Sequence, residues 1–111
     1  MTDAVQPNPM EIMRAAAPEG ARTYLEHRAA IMDNPELQAV PLKYKLLVGI
    51  GVAAALQSST CTVQWAKQAA QAGAAKGEIV EAILVSRLMK AATVNDAAAD
   101  ALQWLQEQSV K

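Results

Sequence analysis

The chain has no phenylalanine, one cysteine and one histidine in 111 residues. A single cysteine excludes an intrachain disulfide. It also excludes a zinc site built on several thiolates, and no metal or cofactor is expected. Aromatic residues make up 4%, so the core must be assembled from aliphatic side chains. Basic residues are not in excess, since the net charge is −1. That argues against an electrostatic footprint for nucleic acid. Long apolar runs are missing too. The longest, Leu46–Leu56, is about half of what a bilayer span needs, so no membrane contact is expected. Met1-Thr2-Asp3-Ala4-Val5-Gln6-Pro7 lacks the basic and apolar regions of a signal peptide. A reducing cytoplasm is the expected location.

Alanine fills roughly a fifth of the chain, well above average usage. With Leu, Met, Gln, Lys and Glu it supplies strong helix formers. The length fits one domain, 1–111, with residues 1–7 as a flexible tail. Asn8-Pro9 marks a helix start, with Asn as cap and Pro in the first turn. That helix should stop near Ala17, before Pro18. A second helix is expected from Pro18 to Met32, with Ala21, Tyr24, Leu25 and Met32 on its apolar face. Asp33-Asn34-Pro35 should break it.

A third helix is expected from Pro41 to Gln57. Between Leu46 and Leu56 it is apolar on every side, and such a helix must be buried all round. One small chain can hardly cover it, so the pattern points to oligomerisation. Gly49 and Gly51 each weaken this helix by about 1 kcal/mol relative to Ala and allow close approach of a neighbour. Ser58, Ser59 and Thr60 can cap a fourth helix, from Cys61 to about Ala72, which Gly73 ends. A fifth is expected from Lys76 to Met89. Thr93 or Asn95 should cap a sixth that reaches Gln108, with Ala98, Leu102 and Leu105 inward and Trp104 alongside. The expected fold is all-α, with about six helices.

This order of pieces resembles the carboxymuconolactone decarboxylase and alkylhydroperoxidase D-like family. The resemblance runs from about Pro18 to Leu105. Its opening helix corresponds to Pro18-Glu19-Gly20-Ala21-Arg22-Thr23-Tyr24-Leu25-Glu26-His27-Arg28. Pro41-Leu42-Lys43-Tyr44-Lys45-Leu46-Leu47 resembles the family's K-x-K-E-L-I-A-L-A helix. Gln68-Ala69-Ala70-Gln71-Ala72-Gly73-Ala74 resembles A-A-L-x-A-G-A, and Glu78-Ile79-Val80-Glu81-Ala82 resembles E-E-I-x-E-A. The resemblance implies a helical fold and homo-oligomers, often trimers or hexamers. Peroxidase members use C-x-x-C, a His four residues after the second Cys, and a Glu on the preceding helix. Here the second Cys falls on Cys61. The first falls on Ser58, the His on Trp65 and the Glu on Leu46.

Cys61 is the candidate nucleophile, because the start of a helix favours a thiolate. Its alternative is a small buried hydrophobe. Ser58 is a candidate hydrogen-bond donor to the thiol. Trp65, one turn later, either fills the pocket or floors a site for an apolar ligand. His27 is either a proton acceptor or a structural surface residue. Glu26, Glu81 and Arg87 are weaker candidates, and Lys43, Lys45 and Lys67 read as a solvated face. No Asp or Glu occurs between Glu36 and Glu78, so the helices around Cys61 carry no carboxylate base of their own. Two functions follow. One is a one-cysteine thiol peroxidase using an external thiol reductant. The other is a non-catalytic oligomeric scaffold that keeps the fold. A lactone decarboxylase is a third reading, for which the Cys61 segment offers hydroxyls but no cation or imidazole.

Overall fold

A computed structural model describes residues 8–108. The tail expected at 1–7 lies outside them. Among the described residues there are six α-helices and no strands: α1 (Pro9–Ala16), α2 (Pro18–Met32), α3 (Leu42–Ala55), α4 (Ser59–Gln71), α5 (Lys76–Ala97) and α6 (Ala99–Glu107). None is long and apolar enough to cross a membrane. Contacts divide the chain into two compact units, Met1–Leu42 and Lys43–Lys111.

In the first unit, Asn8 caps α1. Its Oδ1 accepts from the Glu11 N–H at 2.9 Å, which satisfies one of the donors a helix start leaves open. Ala17 lies outside the helical region, with φ −145° and ψ 76°. A residue before proline is pushed out of the helical region, so Pro18 ends one helix and begins the next. α1 packs against α2. Of the four residues expected on the apolar face of α2, Ala21 and Met32 are buried, whereas Tyr24 and Leu25 are exposed. Eight residues of α1 span roughly 12 Å, about half the length of α2, and cannot cover the whole stripe. On the surface, Arg22 pairs with Glu19 and Glu26. Such exposed pairs add little stability. After Met32 the Asn34 Oδ1 accepts from the Glu36 N–H at 3.0 Å, an Asx turn that leads the chain out of the helix.

In the second unit, α3 buries one stripe: Leu46, Ile50 and Ala53. Leu47, Gly49, Gly51, Ala54 and Ala55 are half-buried. Val48, Val52 and Leu56 are exposed, where burial all round was expected. α3 ends in a Schellman turn. The Ser58 N–H reaches the Ala53 carbonyl at 2.9 Å and the Gln57 N–H reaches Ala54 at 3.1 Å. Gln57 takes the left-handed conformation, φ +63°, which is unusual for a residue with a Cβ. α4 ends the same way, but with Gly73 at φ +94°. The Ala74 N–H reaches Ala69 and the Gly73 N–H reaches Ala70.

The fifth helix is about two turns longer than its pattern suggests. Thr93 and Asn95 lie inside α5 instead of capping α6. The Thr93 hydroxyl donates back to the Lys90 carbonyl at 2.6 Å. A threonine bonded backwards in this way continues a helix and does not start one. The break comes at Ala98 (φ −89°, ψ −4°). No α6 side chain is buried, so Leu102, Trp104 and Leu105 are exposed and not inward. Among the described residues, the contact of α6 with α5 leaves that stripe exposed.

α3 is fastened to α5 at two places. Ser86, the one buried residue of α5, donates its hydroxyl to the Gly51 carbonyl at 2.6 Å. A Cβ on Gly51 would stand 3.4 Å from the Ala82 carbonyl. At the helix starts, the Glu78 carboxylate accepts from the Ala75 N–H at 2.8 Å and pairs with Lys43 Nζ at 3.2 Å. Lys43 is thus a paired residue, not part of a solvated face. The Ala75 N–H and then Lys43 hold the Glu78 carboxyl below its ordinary range. Glu78 in turn raises the Lys43 ammonium above its own.

Two outcomes are expected. The Glu78 contribution is present above the ordinary carboxylate range and is lost as pH falls through the lower, folded-state value. The Lys43 contribution is lost only as pH rises past the ordinary lysine range. Melting temperature should therefore fall more steeply below about pH 4 in the native protein than in Glu78→Gln, and parallel curves would refute the pairing. Gly73→Ala meets no atom within 4 Å yet places a Cβ in the left-handed region, so denaturant unfolding should show a loss of about 1 kcal/mol.

Candidate functional site

The site is built by the end of one helix and the start of the next. Left-handed Gln57 turns the chain out of α3 and leaves Ser58 extended, φ −95° and ψ 95°. That is the N-cap conformation. The Ser58 Oγ accepts from the backbone N–H of Cys61 at 3.3 Å. The Ser58 carbonyl accepts from the Thr62 N–H at 3.0 Å and from the Thr62 hydroxyl at 2.7 Å. Cys61 is therefore the third residue of α4, within its first turn. Ser58 touches the cysteine through the backbone amide, as a cap that fixes the turn. The Cys61 side chain is free and exposed, so within one chain it is not a buried hydrophobe.

One turn on, half-buried Trp65 lays the six-membered edge of its indole against Gly49 of α3. A Cβ added to Gly49 would collide with Trp65 Cε3 and Cζ3. The glycine in an otherwise apolar helix is thus the seat of the tryptophan. Gly49 and Gly51 face different neighbours, α4 and α5, so α3 lies between them at close range. No carboxylate lies on α3 or α4. Among the described residues no group of three or more His, Cys, Asp or Glu is arranged to hold a metal ion.

The sequence profile described as the carboxymuconolactone decarboxylase family matches residues 18–107. The chain belongs to this family. A crystal structure of a protein from Methanobacterium thermoautotrophicum, a structural-genomics target, has the same fold. It superposes with a TM-score of 0.75 at 25% identity and covers 83% of this chain and 97% of that one. No curated protein matches the chain.

Within the family fold, Ser58, Cys61 and Trp65 share the first turns of α4 in the second unit. His27 lies on α2 in the first unit and is exposed. Glu26 is engaged by Arg22, and Glu81 and Arg87 are exposed on α5. Three features of the site were not legible as such. Gln57 gives no signal for a left-handed turn, because glycine or asparagine is the usual occupant. Ser86 sits in an apolar stretch, and only that contrast hints at a buried hydroxyl with a partner. The two glycines signalled close approach, but not which helix approaches.

The Gly49–Trp65 contact makes a specific prediction. Gly49→Ala should destabilise by about 1–3 kcal/mol and change the tryptophan fluorescence. Adding Trp65→Ala should recover part of that loss, with a coupling of about 0.5–3 kcal/mol in a double-mutant cycle. Additive losses would show that the ring does not occupy this seat.

Proposed function

We propose that the protein is a one-cysteine thiol peroxidase built on the carboxymuconolactone decarboxylase fold, with Cys61 as nucleophile. The observation that carries this reading is an exposed thiol in the first turn of α4. The N-terminal end of a helix stabilises negative charge, which is where the thiolate reacts. The sulfur attacks the outer oxygen of a hydroperoxide and the O–O bond breaks. Cys61 becomes a sulfenic acid, and the alkoxide takes a proton to leave as an alcohol. With no second cysteine in the chain, an external thiol must condense with the sulfenic acid and release water. A second external thiol then cleaves the mixed disulfide and restores Cys61. A reducing cytoplasm would supply those thiols. The family profile spans most of the chain, which supports one domain of this type. The apolar sides of α3 support a homo-oligomer, for which the family resemblance implies a trimer or hexamer.

The second reading is a non-catalytic oligomeric scaffold. Trp65 favours it. Where the resemblance places an imidazole, this chain has an indole seated on Gly49, and Ser58 and Leu46 stand where a thiol and a carboxylate would be. In that case Cys61→Ala leaves assembly intact and no peroxide is consumed by either protein.

The test is hydroperoxide consumption by the purified protein with excess small thiol. Cys61→Ser should abolish it at unchanged helicity. Equal turnover by that variant would contradict the assignment. No turnover by either protein would favour the scaffold.

A further inference from the structure

α5 and α6 meet at Ala98, where no residue obliges them to part. Sharp breaks in helices have a local cause, most often proline or glycine or an inserted side chain. Between Val94 and Ala101 there is no proline and no glycine, and no side-chain bond caps α6. Alanine is among the poorest N-caps and is the best residue for a helix interior. The local sequence therefore favours one continuous helix where the chain has two.

The backbone departs from that continuous helix by little. Ala98 keeps a helical φ of −89°, and its ψ of −4° is about 40° from the helical value. The ladder is intact on both sides. The Ala98 N–H donates to the Val94 carbonyl at 3.0 Å, and the Leu102 N–H donates to the Ala98 carbonyl at 2.9 Å. Among the described residues, the bonds that would join the two helices, from Ala99 to Asn95, Asp100 to Asp96 and Ala101 to Ala97, are not made. Packing does not hold the break either, since no α6 side chain is buried.

Charge does favour the break. In a continuous helix Asp96 and Asp100 stand one turn apart as like charges, which is destabilising. With the break, Asp100 lies in the first turn of α6, where the helix end favours a carboxylate.

From this we infer that Ala98 is a hinge between two states of one helical segment, with Asp96 and Asp100 setting the balance. In the bent state α6 is a separate helix. In the straight state α5 runs on through Glu107 and the three missing bonds close. α6 is then an arm, and its exposed Leu102, Trp104 and Leu105 swing with it. A partner that binds the arm in one state selects that state. The hinge lies within the second unit and is independent of the chemistry at Cys61.

The test is amide hydrogen exchange, read residue by residue by NMR in the full chain, in Asp96→Asn/Asp100→Asn and in Ala98→Gly. Removing both charges favours the straight state. Glycine at position 98 is a better cap and a poorer helix interior than alanine, so it favours the break. The amides of Ala99 and Ala101 report the state, because the straight segment bonds them and the bent one does not. In the charge variant, protection at both should rise about three-fold or more above the native chain, and the carbon shifts of Ala98 should move to helical values. In Ala98→Gly both amides should exchange at the unprotected rate while Leu102 stays protected. Ala99 and Ala101 exchanging no more slowly in the charge variant than in the native chain would overturn the hinge, whether or not α6 persists. So would protection in Ala98→Gly equal to that in the charge variant.

Discussion

Everything in the second unit turns on α3, an apolar helix made to fit between two neighbours at close range. Its buried stripe, Leu46, Ile50 and Ala53, supplies the hydrophobic contact. Its two glycines decide how near the neighbours come. Gly49 admits the indole of Trp65 from α4, and Gly51 admits the backbone and Ser86 of α5. Each glycine costs helix propensity of about 1 kcal/mol. The ring contact and the buried hydroxyl bond that they permit offset that loss.

The same helix sets the chemistry of the site. Its C-terminal turn needs a left-handed residue, and Gln57 takes that role without being glycine. The turn delivers Ser58 to the cap position, and the cap places Cys61 in the first turn of α4 with its side chain in solvent. No imidazole or carboxylate lies on α3 or α4. Where the family resemblance implies an imidazole, this chain has Trp65. Its ring is committed to the contact with Gly49.

Much of the fold was legible because proline, asparagine and glycine punctuate it. Asn8-Pro9, Ala17-Pro18, Asp33-Asn34-Pro35 and Gly73 all fall at helix ends where the sequence places them. The fifth helix was not legible, because Thr93 and Asn95 can cap or continue a helix, and the bond from Thr93 back to Lys90 settles it. Apolar periodicity showed which face of α2 and α6 seeks burial, and α3 reads as apolar all round, but neither pattern says what covers it. Tyr24, Leu25, Val48, Leu102 and Leu105 therefore remain exposed in the single chain. Cys61 and Ser58 were legible as a helix start. The role of Gly49 was only half legible, since its partner lies on another helix sixteen residues away in sequence.

The proposed chemistry requires Cys61 to be a reactive thiol. The most direct measurement is the pH dependence of its alkylation in the native protein, with peroxide-induced sulfenic acid trapped and read by intact mass. The prediction is alkylation at neutral pH faster than for the same segment as a free peptide, with one trapped adduct on Cys61. A rate equal to that of the peptide, with no adduct after peroxide, would contradict it.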